Sequence, residues 1–185
     1  MSNNLIIRND NNSTSQLLRF SGQINTNGGG FASIRSALPD TGLLLSSSDK
    51  DNDNNNTVKG IKIRYRGDGK TYKVILSDGQ RSTGGPFSRS PTWQMDLPTT
   101  ASTSTVAVDT IMDEAILPLD KFQPSFGPRS VSEEEKAGLV LVPGKQRMIG
   151  LMLSLKLSDG TDNPRETFGE GVFEFSLDVE AIEVV

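Results

Sequence analysis

Apolar residues alternate with polar ones along several short segments of this sequence, and turn residues separate the segments. Lys59–Tyr65 alternates isoleucine and tyrosine with lysine and arginine, and the turn Gly67–Lys70 follows it. Tyr72–Leu76 then resumes the alternation. An Asp-Gly pair in such a turn is a strong hairpin signal, because the turn needs residues that tolerate positive φ. A period of two residues is typical of half-buried β-strands, so these segments are not amphipathic helices.

The same pattern predicts two longer strands, Ile149–Leu157 and Phe173–Ala181. The phase of the second slips at Ile182 and Val184, which indicates a bulge or a change of partner sheet. Shorter strand candidates are Leu17–Ile24, Phe31–Arg35, Gly42–Leu45, Trp93–Leu97 and Thr105–Val108. The capping-box pattern at Ser132–Glu135 predicts a helical turn or two. Together these features predict an all-β fold, an antiparallel β-sandwich or jelly roll with at most one short helix.

A length of 185 residues fits one domain. Residues 1–16 are polar and predict a flexible N-terminal segment, so the predicted sandwich domain spans residues 17–185. Within it, residues 46–56 read SSSDKDNDNNN, which is too polar to pack and predicts a mobile loop. A second loop, Ser82–Pro91, is rich in glycine and proline but contains Phe87.

The chain contains no cysteine and no histidine. Disulfides, zinc–thiolate sites, iron–sulfur clusters and Ser-His-Asp triads are therefore excluded. No pair of carboxylates has a spacing that predicts catalysis, so we expect neither an enzyme, nor a cofactor, nor a small-molecule substrate. The net charge of −4 argues against nucleic acid as a partner, because nucleic-acid binding needs clustered lysine and arginine.

No apolar run approaches the length of about 20 residues that a membrane span requires. Met1–Arg19 has the pattern of neither a secretory signal nor an arginine-rich transit peptide. Two expectations stay open: the protein acts where it is made, or a targeting segment is missing from this sequence.

Two short motifs suggest ligands but fit other structures better. Gly69-Lys70-Thr71 resembles the end of a P-loop, but Arg64 stands where the first glycine belongs and a strand follows. Asp49, Asp51 and Asp53 have the spacing of calcium ligands, but Gly60 stands where the bidentate glutamate belongs. We interpret the first as a hairpin turn and the second as an acidic loop, and whether that loop binds calcium stays open.

The predicted strand Lys59–Tyr65 and its continuation carry three cations on one face: Lys62, Arg64 and Arg66. They form a basic ridge, which is either a solvated sheet face or a docking surface for an acidic protein. Aromatic residues in or beside the loop Ser82–Pro91 are either interface anchors or, for Trp93, core residues. The candidate contact residues are Arg35, Lys62, Arg64, Arg66, Phe87 and Trp93.

Several of these segments together resemble the complex I intermediate-associated protein 30 family. The resemblance rests on Arg19–Gly22, Asn27–Arg35, Tyr65–Lys73, Leu117–Gly127, Ile149–Met152 and Gly171–Phe175, in the order of the family. It extends over Leu17–Val185. Met1–Gln16 lacks the segment ending in DxxMGG that the family has before its first strand, which makes the chain a divergent member.

The resemblance implies a galactose-binding-like jelly roll without catalytic activity. It also implies an assembly factor or accessory subunit of a large membrane electron-transfer complex, either respiratory complex I or a photosynthetic complex. The partners would be protein subunits of that complex. The expected location is the mitochondrial matrix or chloroplast stroma if a targeting segment is missing, and otherwise the cytoplasm of a photosynthetic bacterium. A carbohydrate-binding module is the alternative, because jelly rolls often bind sugars at one end.

Overall fold

The alternating segments form antiparallel strands that pack face to face as two sheets. The computed structural model describes residues 17–28, 30–43, 58–79, 91–101, 112–126, 133–136 and 138–185. In these ranges the strands are β1 Leu18–Asn25, β2 Phe31–Ala37, β3 Gly60–Arg66, β4 Thr71–Ser77, β5 Thr92–Pro98, β6 Asp113–Pro118, β7 Gln123–Ser125, β8 Met148–Ser154 and β9 Val172–Val184. Two single helical turns are α1 Glu133–Lys136 and α2 Arg165–Phe168.

Sheet A has the strand order β1-β9-β3-β6, and sheet B has the order β2-β8-β4-β5-β7. Every pairing of these strands is antiparallel. The inner rows of the two sheets form one core, whose fully buried members include Ile61, Ile63, Leu177, Tyr72, Leu76 and Leu151. Burying an aliphatic side chain of this size stabilises the fold by roughly 1.5–3 kcal/mol. The predicted all-β sandwich is confirmed.

The last strand, β9, lies in the middle of sheet A and has a different partner along each half of its length. Its first half pairs with β1, where Leu18 is opposite Val179, and its second half pairs with β3. Arg64 lies opposite Ala181 and Tyr65 opposite Val179, so Glu180 is an extra residue in β9. This bulge accounts for the phase slip in the sequence, and β9 stays in one sheet.

The turn between β3 and β4 is held by the Asp68 side chain. The Tyr72 hydroxyl donates to Asp68 Oδ1 (3.0 Å), and the Ser176 backbone N–H donates to Asp68 Oδ2 (2.9 Å). Burial, followed by the nearby Asp68 carboxylate, raises the pKa of Tyr72. A strand follows this turn instead of a helix, so Gly69-Lys70-Thr71 is not a P-loop, as predicted. The predicted hairpin is wrong, however, because β3 pairs within sheet A and β4 within sheet B, and the turn connects the two sheets.

Some boundaries differ from the predictions. The strand expected to reach Leu157 ends at Ser154. The strand predicted at Gly42–Leu45 is wrong at its start, because Gly42 has φ +67° and donates to the Pro39 carbonyl in a turn. β6 and β7 were not predicted, nor was α2, whereas α1 lies at the predicted capping box.

Residues 1–16, residues 46–56 and the strand candidate Thr105–Val108 lie outside the described residues. No helix in the described ranges is long and apolar enough to cross a membrane.

Candidate functional site

The outer face of sheet A carries the predicted basic ridge. Lys62, Arg64 and Arg66 project on the same side of β3, as expected, but each of them meets carboxylates from the neighbouring strands. Lys62 Nζ lies 3.3 Å from Glu114 on β6 and 3.4 Å from Glu183 on β9. The ridge is therefore one part of a mixed-charge surface.

The other two cations of the ridge pair with β9. Arg64 Nη2 lies 3.1 Å from Glu180 Oε2, an ion pair that lacks hydrogen-bond alignment. Arg66 Nη2 donates a short hydrogen bond to Asp178 Oδ2. Because Arg64 is 45% exposed and Arg66 is 26% exposed, water screens the first pair more than the second.

Asp178 is the most buried carboxylate of this face, with 4% of its side chain exposed. Arg19 from β1 donates to it through Nε (2.7 Å) and Nη2 (3.1 Å), so the carboxylate lies between two guanidinium groups. Burial by itself would raise the pKa of Asp178, but the hydrogen bonds from Arg19 and Arg66 outweigh burial and lower the pKa below its usual range. Asp178 thus links β1, β9 and β3 from the outside.

These pairings remove the electrostatic reason for docking an acidic protein on the ridge, because the carboxylates neutralise it locally. That Lys62, Arg64 and Arg66 contact a partner stays a prediction. What the structure shows is a sheet face of mixed charge.

Arg35 lies far from the ridge in the fold, on the outer face of sheet B. It projects from β2 opposite Gly150 of β8, and its Cγ lies within 2.9 Å of where a Cβ at Gly150 would be. The side chain is exposed, and in the described part of the chain its guanidinium has neither a hydrogen bond nor an ion pair. Of the four predicted cations, Arg35 alone has an uncompensated charge among those residues.

The two predicted aromatic contacts have different outcomes. Trp93 is 8% exposed and belongs to the core cluster, so the structure corrects it from a contact residue to a core residue. Its strand phase places it in the inner row of β5. Phe87 lies outside the described residues.

A buried lysine on the outer face of sheet B was not singled out from the sequence. Lys73 is 5% exposed, and its Nζ donates to Gln94 Oε1 (3.2 Å) on β5. Burial lowers the pKa of Lys73, and the nearby carboxylates of Asp96 and Asp159 offset part of that effect. Asp96 also accepts from the backbone N–H and the hydroxyl of Ser158. The outward phase of Lys73 predicts a solvated lysine. The local pattern does not show that the loop containing Ser158 and Asp159 lies beside Asp96 and Lys73.

A shallow polar groove of about 720 Å³ lies where β3 ends and β1 and β9 continue. Its walls include Arg19, Lys70, Asp68 and Glu174, so positive and negative charges balance. Lys70 Nζ is held 3.1 Å from Asp68 and 5.7 Å from the centroid of the Phe173 ring. The described residues contain no cluster of three or more metal-ligating side chains, and the aspartates of residues 46–56 are outside them.

Binding sugar by stacking would require exposed aromatic rings above polar groups. Phe31, at 66% exposed, is the one mostly exposed aromatic side chain among the described residues. It stands at the edge of sheet B.

Comparisons with known proteins add a family and a fold neighbour. The model of the family described as complex I intermediate-associated protein 30 (CIA30) matches residues 4–179. A solved structure similar to the chain is the family 11 carbohydrate-binding module of the cellulosomal cellulase Lic26A-Cel5E from Clostridium thermocellum. That likeness has 10% identity and a TM-score of 0.47, and covers 94% of this chain and 89% of the module. No curated protein matches the chain.

Proposed function

The chain belongs to the complex I intermediate-associated protein 30 family, and from this we propose that it is a non-catalytic protein-binding domain. It acts as an assembly factor or accessory subunit of a large membrane electron-transfer complex, with respiratory complex I the first candidate. The observation that carries the proposal is the match of the family model to residues 4–179, nearly the whole chain. Its partners are protein subunits of that complex.

The surface geometry is compatible with docking through sheet faces and edges. The outer row of β2 is exposed at Phe31, Ser33 and Arg35, and Arg35 offers a charge that the described residues do not neutralise. In the proposal the location follows the complex: the mitochondrial matrix, the chloroplast stroma or the cytoplasm of a photosynthetic bacterium. A photosynthetic complex is the second candidate partner.

Native-gel separation of gently solubilised membranes, with the protein followed by mass spectrometry, tests this function. We expect migration with a membrane complex far above the 20.0 kDa of the free chain. Presence in incomplete complexes alone would identify an assembly factor, and presence in the mature complex a resident subunit. A soluble protein of similar mass and abundance serves as the control for trapping in the gel.

Migration as the free chain alone, under conditions where the complex stays intact, would contradict the proposal. A glycan array would then test the carbohydrate-binding alternative directly.

A further inference from the structure

β2 is an edge strand of sheet B in the described part of the chain, and its pairing has no bulge. All seven of its residues pair in register with β8, from Phe31 opposite Ser154 to Ala37 opposite Met148. In an antiparallel pair, alternate residues direct their N–H and C=O groups away from the neighbouring strand. For Phe31–Arg35, the pairing with β8 provides all the backbone hydrogen bonds found in the described part of the chain. Among the described residues nothing pairs with the other side of this segment, so that side can receive another strand.

Of the other three sheet edges in the described ranges, two are protected in ways that β2 is not. β7 has three residues and contains Pro124, and β6 ends at Pro118. Proline and short length both blunt an edge. β1 is long, but its core-facing residues Phe20 and Ile24 are already buried, with only 7% and 3% of each exposed. Phe31–Arg35 contains no proline, glycine or acidic residue.

The inner row of β2 is incompletely covered. Ala32 and Ile34 pack against the core but stay half-buried, whereas Leu151 and Leu153 opposite them on β8 are fully buried. A strand added beside β2 would cover Ala32 and Ile34 and extend the core by one row. Burial of apolar area is therefore available to a partner at this edge.

The outer row adds a charge and an aromatic ring. Phe31 is 66% exposed, and the exposed guanidinium of Arg35 has no partner among the described residues. The two side chains project on the same face with Ser33 between them. Because opposite residues of paired strands share a face, a matching strand has a carboxylate opposite Arg35 and an apolar side chain four residues away opposite Phe31.

We propose that Phe31–Arg35 receives an extended segment of a protein partner, which adds to sheet B as a further strand. The segment carries an acidic side chain opposite Arg35 and apolar side chains opposite Phe31, Ala32 and Ile34. Backbone hydrogen bonds provide the main attraction, and the Arg35 pair sets the register. This inference rests on the proposed function, since it names the surface through which a partner docks.

A capped peptide Ser-Glu-Val-Thr-Val-Leu-Ser is the probe, because in antiparallel register its glutamate lies opposite Arg35 and its leucine opposite Phe31. With the full-length ¹⁵N-labelled protein, we expect NMR shift changes centred on Phe31–Arg35 and slower amide exchange there. Two further peptides carry N-methyl groups on opposite sets of alternate residues. One should lose binding and the other keep it, because only one edge of a strand faces β2. Equal losses, or shifts centred elsewhere, would overturn the proposal.

Charge reversal tests the register. We expect Arg35→Glu to bind the glutamate peptide about fivefold more weakly than the wild type, and to prefer a peptide with lysine at that position. Lys145→Glu, at another exposed cation, is the matched control and should bind like the wild type. Urea unfolding of each variant checks that the fold is intact. If Phe31→Ser and Arg35→Glu both bind the glutamate peptide like the wild type, the β2 site is wrong.

Native gels separate this failure from failure of the proposed function. Suppose that the wild type and Arg35→Glu both migrate with the complex and that the peptide does not bind. This result refutes the β2 site and leaves the proposed function standing. If the wild type migrates alone, the function fails, and the peptide experiments by themselves decide the β2 site. A dimer in sedimentation that Arg35→Glu dissolves would make a second copy the occupant and overturn the assignment to a different protein.

Discussion

The cations of β3 and the single cation of β2 follow the same alternating sequence pattern, but their neighbours in the fold differ. β3 is a central strand of sheet A, and β6 and β9 on either side supply carboxylates to Lys62, Arg64 and Arg66. Among the described strands β2 has one neighbour, β8, whose outer row near Arg35 contains Met148, Gly150 and Met152. The cations of β3 are therefore compensated by the neighbouring strands, whereas Arg35 has no compensating carboxylate among the described residues.

Gly150→Ala should have the largest effect, because it disturbs the β2 side of this comparison. A Cβ at this position would lie 2.7 Å from the Ile34 carbonyl oxygen and 2.9 Å from Arg35 Cγ, so β2 must move. We expect the free energy of unfolding to fall by up to about 3 kcal/mol in urea titrations. Gly138→Ala is the control, since nothing lies within 4 Å of its Cβ. Equal midpoints would mean that β2 does not pack on β8 as described.

Asp178→Asn disturbs the other half of the comparison, the ion pairs around β3. The substitution weakens charge-assisted hydrogen bonds from Arg19 and Arg66, and we expect a loss of about 2 kcal/mol in the free energy of unfolding. Glu183→Gln, whose carboxylate is 39% exposed, should change the urea midpoint little. A similar loss in both variants would show that burial does not distinguish the two carboxylates.

The acid dependence gives a second readout for Asp178. Its pKa is lowered in the folded state, so its ionised form stabilises the fold above its ordinary pKa of 3.8. This stabilisation is lost as the pH falls through the lower, folded-state pKa. The difference between wild type and Asp178→Asn should therefore be largest above about pH 4 and shrink at more acidic pH. A constant difference over that range would contradict the assignment.

Arg66→Ala and Arg64→Ala separate two cations that look equivalent in the sequence. Arg66 is hydrogen-bonded to the buried Asp178, so its loss should cost about 1 kcal/mol of unfolding free energy. Arg64 is more exposed and lacks an aligned hydrogen bond to Glu180, so its loss should cost less. Urea unfolding of both variants measures the contrast, and the reverse order would refute it.

Lys73→Met tests the buried cation of sheet B and should have the smallest effect. Burial lowers the pKa of Lys73 below its ordinary value of 10.5. As the pH rises toward 10.5, the folded state therefore binds fewer protons than the unfolded state. The wild type should therefore gain stability relative to Lys73→Met as the pH rises from about 8 to about 10. Parallel urea titrations over this range measure the gain. A difference that is independent of pH would show that Lys73 is solvated.

The sequence predicted the strands whose apolar residues keep a strict period of two, such as β3, β4 and β8. It missed β6, because Ala115, Ile116 and Leu117 are consecutive apolar residues without alternation. It also took Gly42–Leu45 for a strand on its apolar run, although Gly42 and Leu43 form a turn bonded to Pro39 and Pro143. Short-range turn geometry outweighed strand propensity there.

The candidate site was less predictable than the fold. The alternation placed Lys62, Arg64 and Arg66 on one face, and that prediction is confirmed. Their carboxylate partners are far away in the sequence, with Arg66 and Asp178 separated by 112 in residue number. One sequence shows which residues share a strand face, but it does not show which strand lies beside it. For the same reason the edge position of Phe31–Arg35 among the described strands is visible only in the fold.

The central position of β9 has a consequence for how the chain folds. β1 and β3 are both made before β9, and both need it as the strand between them. Even the Asp68 turn depends on β9, since it binds Ser176. A nascent chain therefore holds two strands with unpaired edges until a segment more than a hundred residues later arrives. Such non-local pairing folds slowly and exposes the intermediate to aggregation, so we expect sheet A to close last and to rely on chaperones during synthesis.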